Sequence, residues 1–163
     1  MQYHIGSKVV YPMHGAGVIE SIEEREIMGK KQEYYIMRIP IGDMQVMVPI
    51  ESAEEIGLRE VIDPEAADRV LEDFKACPIE MDSNWNKRYR DNMTKIKSGN
   101  IKDVVSVVKN LMYRDKLRGL STGERKMLSN AKQILVSELV VAKSCPQQQI
   151  EKMMEQVITA ELA

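Results

Sequence analysis

The chain of 163 residues sets 23 lysines and arginines against 25 aspartates and glutamates, a formal net charge of −2, with 44% of its side chains hydrophobic and 29% charged. That balance is globular and fits one ordinary domain or two small ones; it excludes disorder as the default and excludes a general polyanion binder. No apolar run approaches the ~20 residues of a membrane span, and the stretch from Met1 to Lys8 lacks the basic-then-apolar order of a secretory signal.

From Gly6 to about Glu60 the pattern is that of short strands and tight turns. Lys8–Tyr11 is rich in β-formers and stops at Pro12. His14–Gly17 reads as a turn. Val18–Ile27 alternates, and Met28-Gly29-Lys30-Lys31 reads as a hairpin connection, with Gly29 supplying the positive φ. Glu33–Ile39 is the clearest strand; Pro40–Asp43 turns the chain, Met44–Pro49 alternates again, and Gly57–Val61 can add a closing strand. Five short strands in some sixty residues predict a small SH3-like or Tudor-like barrel.

At Asp63-Pro64-Glu65 the period becomes helical: a capping side chain, proline in the first turn, then acid at the positive end of the dipole. Val70, Leu71 and Phe74 form the stripe of this first helix. Ser83 or Asn84 caps the next, whose apolar positions are Trp85, Tyr89, Met93 and Ile96. Ile101, Val104, Val105, Val108, Leu111 and Met112 make a third stripe, with Lys102, Lys109 and Lys116 recurring on its other side, up to Gly119. Ser121-Thr122-Gly123-Glu124 is a capping box that opens a long helix ending at Ser144-Cys145-Pro146. Residues 146–163 are expected as a frayed terminal helix. The predicted fold class is α+β: an N-terminal β domain over residues 1–62 and an all-helical domain over residues 63–163.

Charge is segregated along this order. Residues 1–60 hold 6 basic and 10 acidic side chains, and residues 61–83 hold 2 and 7. Residues 84–118 hold 10 basic and 3 acidic, a balance of +7. One face of such a protein meets a polyanion and another meets something else. The basic segment opens with the only tryptophan, Trp85, followed by Lys87, Arg88 and Arg90. Residue type alone favours a core aromatic at a helix start; the sharper reading is a stacking or wedging group held at a nucleic-acid backbone by neighbouring cations.

No enzyme constellation accompanies it, so no catalytic residue, cofactor or small-molecule substrate is expected. His4 and His14 are the only histidines, no His/Cys/acid cluster has metal spacing, and Gly15-x-Gly17 lacks the Gly-Lys-Ser/Thr of a phosphate loop. Cys77 and Cys145 lie outside any Cys-x-x-Cys pair and read as reduced thiols of a cytoplasmic protein. A binding protein follows, reading backbone and shape rather than base edges.

The stretches G-S-K-V-V-Y-P-M-H-G-A-G at 6–17, V-M-V-P at 46–49, G-L-R-E-V at 57–61, N-W-N-K-R-Y-R-D-N at 84–92 and R-G-L-S-T-G-E-R-K-M-L at 118–128 resemble, in this order, the bacterial CarD family of transcription regulators. The match spans residue 1 to about 142. The resemblance implies an N-terminal Tudor-like domain, similar to the polymerase-interacting domain of transcription-repair coupling factors, that binds the RNA polymerase β subunit. It implies a helical domain that contacts promoter DNA at the upstream edge of the transcription bubble. The family's wedge tryptophan falls on Trp85 and its basic positions on Lys87, Arg90 and Arg125, with Arg88 beside them. Its polymerase contacts fall on Arg25 and Met47, with Pro49 beside them as a further polymerase-binding candidate. Actinobacterial members carry arginine where Met47 stands, and a further family lysine position is Asn130 here.

The function expected is therefore a non-enzymatic, cytoplasmic regulator that stabilises the open promoter complex. Two alternatives are an adaptor whose helical domain docks protein and a small RNA-binding or ribosome-associated module.

Overall fold

The computed structural model describes residues 2–80 and 82–163; Met1, where the first expected domain begins, and Met81 lie outside the described residues. Strands β1 (Lys8–Tyr11), β2 (Gly15–Ile27), β3 (Lys30–Ile39), β4 (Met44–Pro49) and β5 (Arg59–Glu60) form one antiparallel sheet in the order β4-β3-β2-β1-β5. A short helix, α1 (Ala53–Ile56), precedes β5. The Tudor-like expectation is borne out. One side of the sheet closes over a core of Val9, Ile19, Tyr35, Met37, Ile39, Val48, Ala53 and Leu58. Alternation puts the strand residues among these inward, and a bulge between Ile19 and Ser21 resets it along β2.

Two turns differ from expectation. The β2–β3 connection is a two-residue turn, Met28-Gly29, and Lys31 is already paired with Glu26. The segment expected as a turn at His14–Gly17 instead begins β2 at Gly15. The reason lies in the helical half. A Cβ on Gly15 would lie 2.7 Å from Ser137 Oγ, and the neighbouring Ala16 N–H donates to that hydroxyl at 2.8 Å. Glycine lets a helix approach the strand here.

The helices are α2 (Pro64–Ala76), α3 (Trp85–Lys97), α4 (Ile101–Leu117), α5 (Thr122–Lys143) and α6 (Gln147–Leu162). Asp63, Asn84, Asn100 and Ser121 cap the first four, each side chain accepting a backbone N–H of the first turn. Phe74, Val104, Val108, Leu111, Met127, Leu135 and Leu139 build the helical core. Helix α6 is not a frayed tail: Ile150, Met154 and Ile158 are buried in that core. Lys109 is not on a solvated face either. It is fully buried, and its ammonium donates to the carbonyls of Lys75 (2.9 Å) and Cys77 (2.6 Å) and meets Glu161 at 3.1 Å. The cation thus answers the carbonyls at the end of α2, where a positive charge is favoured.

Sheet and helices are docked through α5. Val141 packs against Val10 and Ala16. The buried Glu138 carboxylate accepts hydrogen bonds from Arg59 Nη1 and Nη2, each at 2.8 Å, and from the Ile62 N–H at 3.1 Å. Among the described residues no helix is long and apolar enough to cross a membrane.

Candidate nucleic-acid interface

Helix α3 begins where its cap, Asn84, accepts the Lys87 N–H at 3.2 Å. Trp85 occupies the first position and stays 42% exposed. It is not loose. Its ring stacks on Tyr89, one turn on, with centroids 5.0 Å apart and planes 20° from parallel. Its indole N–H donates to Ser121 Oγ at 3.1 Å. Both rings lie over the first turn of α5, where a Cβ on Gly123 would meet them at van der Waals distance, 3.5 and 3.8 Å. An aromatic face is thereby presented to solvent on a rigid support, the arrangement that base stacking requires.

The apolar spacing Trp85, Tyr89, Met93 is therefore a rim and not the buried face of α3. The residues turned inward are Arg88, Asn92 and Ile96, spaced four apart. Arg88 leaves the group of solvent-facing cations in which its position in the sequence had placed it. It is 8% exposed, its Nε and Nη2 donate to the Glu124 carboxylate at 2.8 and 3.1 Å, and its Nη1 donates to the Asp82 carbonyl at 2.7 Å. Burial pushes the Glu124 carboxyl up, but the hydrogen bond and charge of Arg88 pull it down further, so it titrates below the usual range. A carboxylate that is 1% exposed leaves a guanidinium no freedom to face a phosphate.

Three expected cations remain at the surface. Lys87 is exposed and pairs with Asp82 at 3.0 Å. The backbone N–H of Asn84 and the ammonium of Lys87 together hold the Asp82 carboxyl below its ordinary value. Arg90 is exposed, with no ion pair among the described residues. Arg125 is exposed on the first turn of α5, its Nε donating to the Leu120 carbonyl at 3.2 Å. It lines an open cleft of about 410 Å³ with Ile41, Lys132, Glu151 and others. Sequence reasoning missed Ser121 and Tyr89 as the supports of the tryptophan. The capping box was visible, but its second contact across 36 residues was not.

The other candidate positions lie on the sheet. Arg25 opposes Gln32, Pro49 opposes Tyr34, and Met47 opposes Ile36. Since Gln32, Tyr34 and Ile36 alternate along β3, register brings Arg25, Met47 and Pro49 to one face, opposite the barrel core. Helix α5 packs on that face at the end marked by Val10 and Ala16, and Tyr34 and Ile36, which share the face, are buried as well. The Arg25 side chain is 50% exposed and meets Glu23 at 3.3 Å, while Met47 and Pro49 are half-buried.

Comparison with known proteins matches two family descriptions in chain order. Residues 3–62 match the CarD-like/TRCF RID domain and residues 69–155 match the CarD C-terminal domain. The chain is 40% identical over 149 residues to the "Putative transcription factor YdeB" of Bacillus subtilis (strain 168), covering 91% of this chain and 97% of that protein. It is also similar to the solution structure of the 72-residue N-terminal domain of Myxococcus xanthus CarD. That match has 34% identity over 36% of this chain and 79% of the other, with a TM-score of 0.32.

Proposed function

The chain belongs to the CarD family of transcription factors, and from that premise we propose that it grips the RNA polymerase β subunit with its sheet and steadies the open promoter complex with its helices. Trp85 wedges at the upstream edge of the bubble, where separated bases leave an unstacked face. Lys87, Arg90 and Arg125 meet phosphates around it, and Arg88 holds the platform from inside. Arg25, Met47 and Pro49 face polymerase, with Met47 giving an apolar contact where actinobacterial members of the family carry an arginine. The protein acts in the cytoplasm, at the nucleoid, and contacts DNA without reading its sequence. The observation that carries this reading is the chain's single tryptophan, left 42% exposed yet held by a stacked ring and a hydrogen bond.

The test is open-complex lifetime on a promoter template with purified polymerase, with and without the protein. Stacking on a base is worth roughly 1–3 kcal/mol. Trp85→Ala should therefore speed bubble collapse by between several-fold and about a hundredfold, at about 1.4 kcal/mol per decade. Polymerase binding should persist. An unchanged lifetime from a folded, polymerase-binding Trp85→Ala protein would sink the wedge.

A further inference from the structure

The β2–β3 hairpin is longer than the sheet needs. Pairing of β3 with β4 ends at Tyr34 and Pro49, and pairing of β2 with β1 reaches only Val18. From Glu24 to Glu33 the two strands are paired only with each other, as a ribbon projecting from the domain. Its tip is apolar. Met28 is 99% exposed and Ile27 is 46% exposed.

Nothing in the fold asks for this tip. Met28 and Gly29 both have positive φ, 53° and 81°, which is the geometry of a type I′ turn. That turn favours Asn, Asp or Gly at its first central position, and a side chain such as methionine is strained there. A large apolar group, fully in water and in an unfavoured backbone conformation, has no stabilising role in the free protein. Rules broken this way mark functional positions.

We propose that the Ile27–Met28 tip is an apolar anchor that inserts into a hydrophobic pocket on RNA polymerase. The proposal rests on the reading that the sheet binds polymerase, and deepens it. Ile27 opposes Lys30, so register sets it on the same face as Arg25, Met47 and Pro49. The anchor therefore continues that candidate contact face to the end of the ribbon. Charge decides between classes of partner. The ribbon and its root carry Glu23, Glu24, Glu26 and Glu33 against Arg25, Lys30 and Lys31, with Glu24 directly opposite Glu33. Such a shaft offers no cationic platform to nucleic acid or to an anionic lipid surface, which leaves a protein pocket as the occupant.

The experiment is equilibrium binding of the full chain to purified RNA polymerase, paired with thermal denaturation. Met28→Asn relieves the turn and removes the anchor. Its melting temperature should hold or rise while its affinity falls about tenfold, the loss expected when one buried apolar side chain is taken away. Met28→Leu keeps an apolar tip and should bind within a few-fold of the parent. The fold-loss from Met28→Asn should be the same at low and high salt, because it is not ionic. Equal affinity of Met28→Asn and parent overturns the anchor and leaves the polymerase reading standing, as does equal loss in the Asn and Leu variants. Failure of the parent chain to bind polymerase overturns both.

Discussion

The indole N–H of Trp85 donates to Ser121, and the same hydroxyl accepts the Glu124 N–H that starts α5. One oxygen thus caps a helix and fixes the exposed aromatic. Ser121→Ala should cost about 1 kcal/mol of stability through the lost cap, and Ser121→Gly only a few tenths. Both free the indole, so both should shift its fluorescence and shorten the open complex equally, though less than Trp85→Ala does. Denaturation alongside promoter kinetics checks the split.

Arg88→Ala should destabilise the protein by about 3–5 kcal/mol, because it strands the Glu124 carboxylate in the interior. The double variant Arg88→Ala, Glu124→Gln should lose less than the sum of the singles. Urea denaturation measures both. A surface arginine used only on DNA would leave stability nearly untouched.

The same pair sets an acid limit. The Glu124 carboxyl titrates lower in the folded protein than in the unfolded chain. Its contribution is therefore fully present above the unfolded value, about 4.3, and is lost as pH falls through the folded value. Stability measured from neutral pH downwards should drop in that acid window. Glu124→Gln should lower the neutral-pH stability and flatten this part of the profile.

Charge reversal at Arg90 should shorten the open complex more than reversal at Lys87, whose ammonium is already shared with Asp82. Both effects should shrink as salt rises, whereas the effect of Trp85→Ala should not. Lifetimes across a salt series separate the two kinds of contact.

Arg25→Glu should leave stability within about 0.5 kcal/mol, since its only ion pair among the described residues is an exposed one with Glu23. Affinity for the isolated β subunit should fall. An unchanged affinity removes Arg25 from the contact face.

The strands were legible because alternation and turn residues are local signals. Three helix caps, Asp63, Asn84 and Ser121, were legible for the same reason, while Asn100, which caps α4, was not. Arg88, Lys109 and Glu138 were not, because a charged side chain reads as solvated until its partner is known, and those partners lie 36, 52 and 79 residues away in Glu124, Glu161 and Arg59. Helix α3 was consequently read one position out of phase: its stripe of Trp85, Tyr89 and Met93 matched an apolar face, while the buried face is anchored by an ion pair. In α6 the spacing of Ile150, Met154 and Ile158 was present in the sequence, but nothing local says that α4 and α5 leave a groove for it.

The Arg59–Glu138–Ile62 clasp gives the molecule a fixed reach. Two modules on a slack tether would search a volume, and each docking at the second site would sacrifice that freedom again. A buried carboxylate with three donors on the opposite module works instead as a splint. On the proposed reading, in which the sheet takes hold of polymerase, the splint turns attachment into measurement: the aromatic at the other end arrives at one set distance and no other.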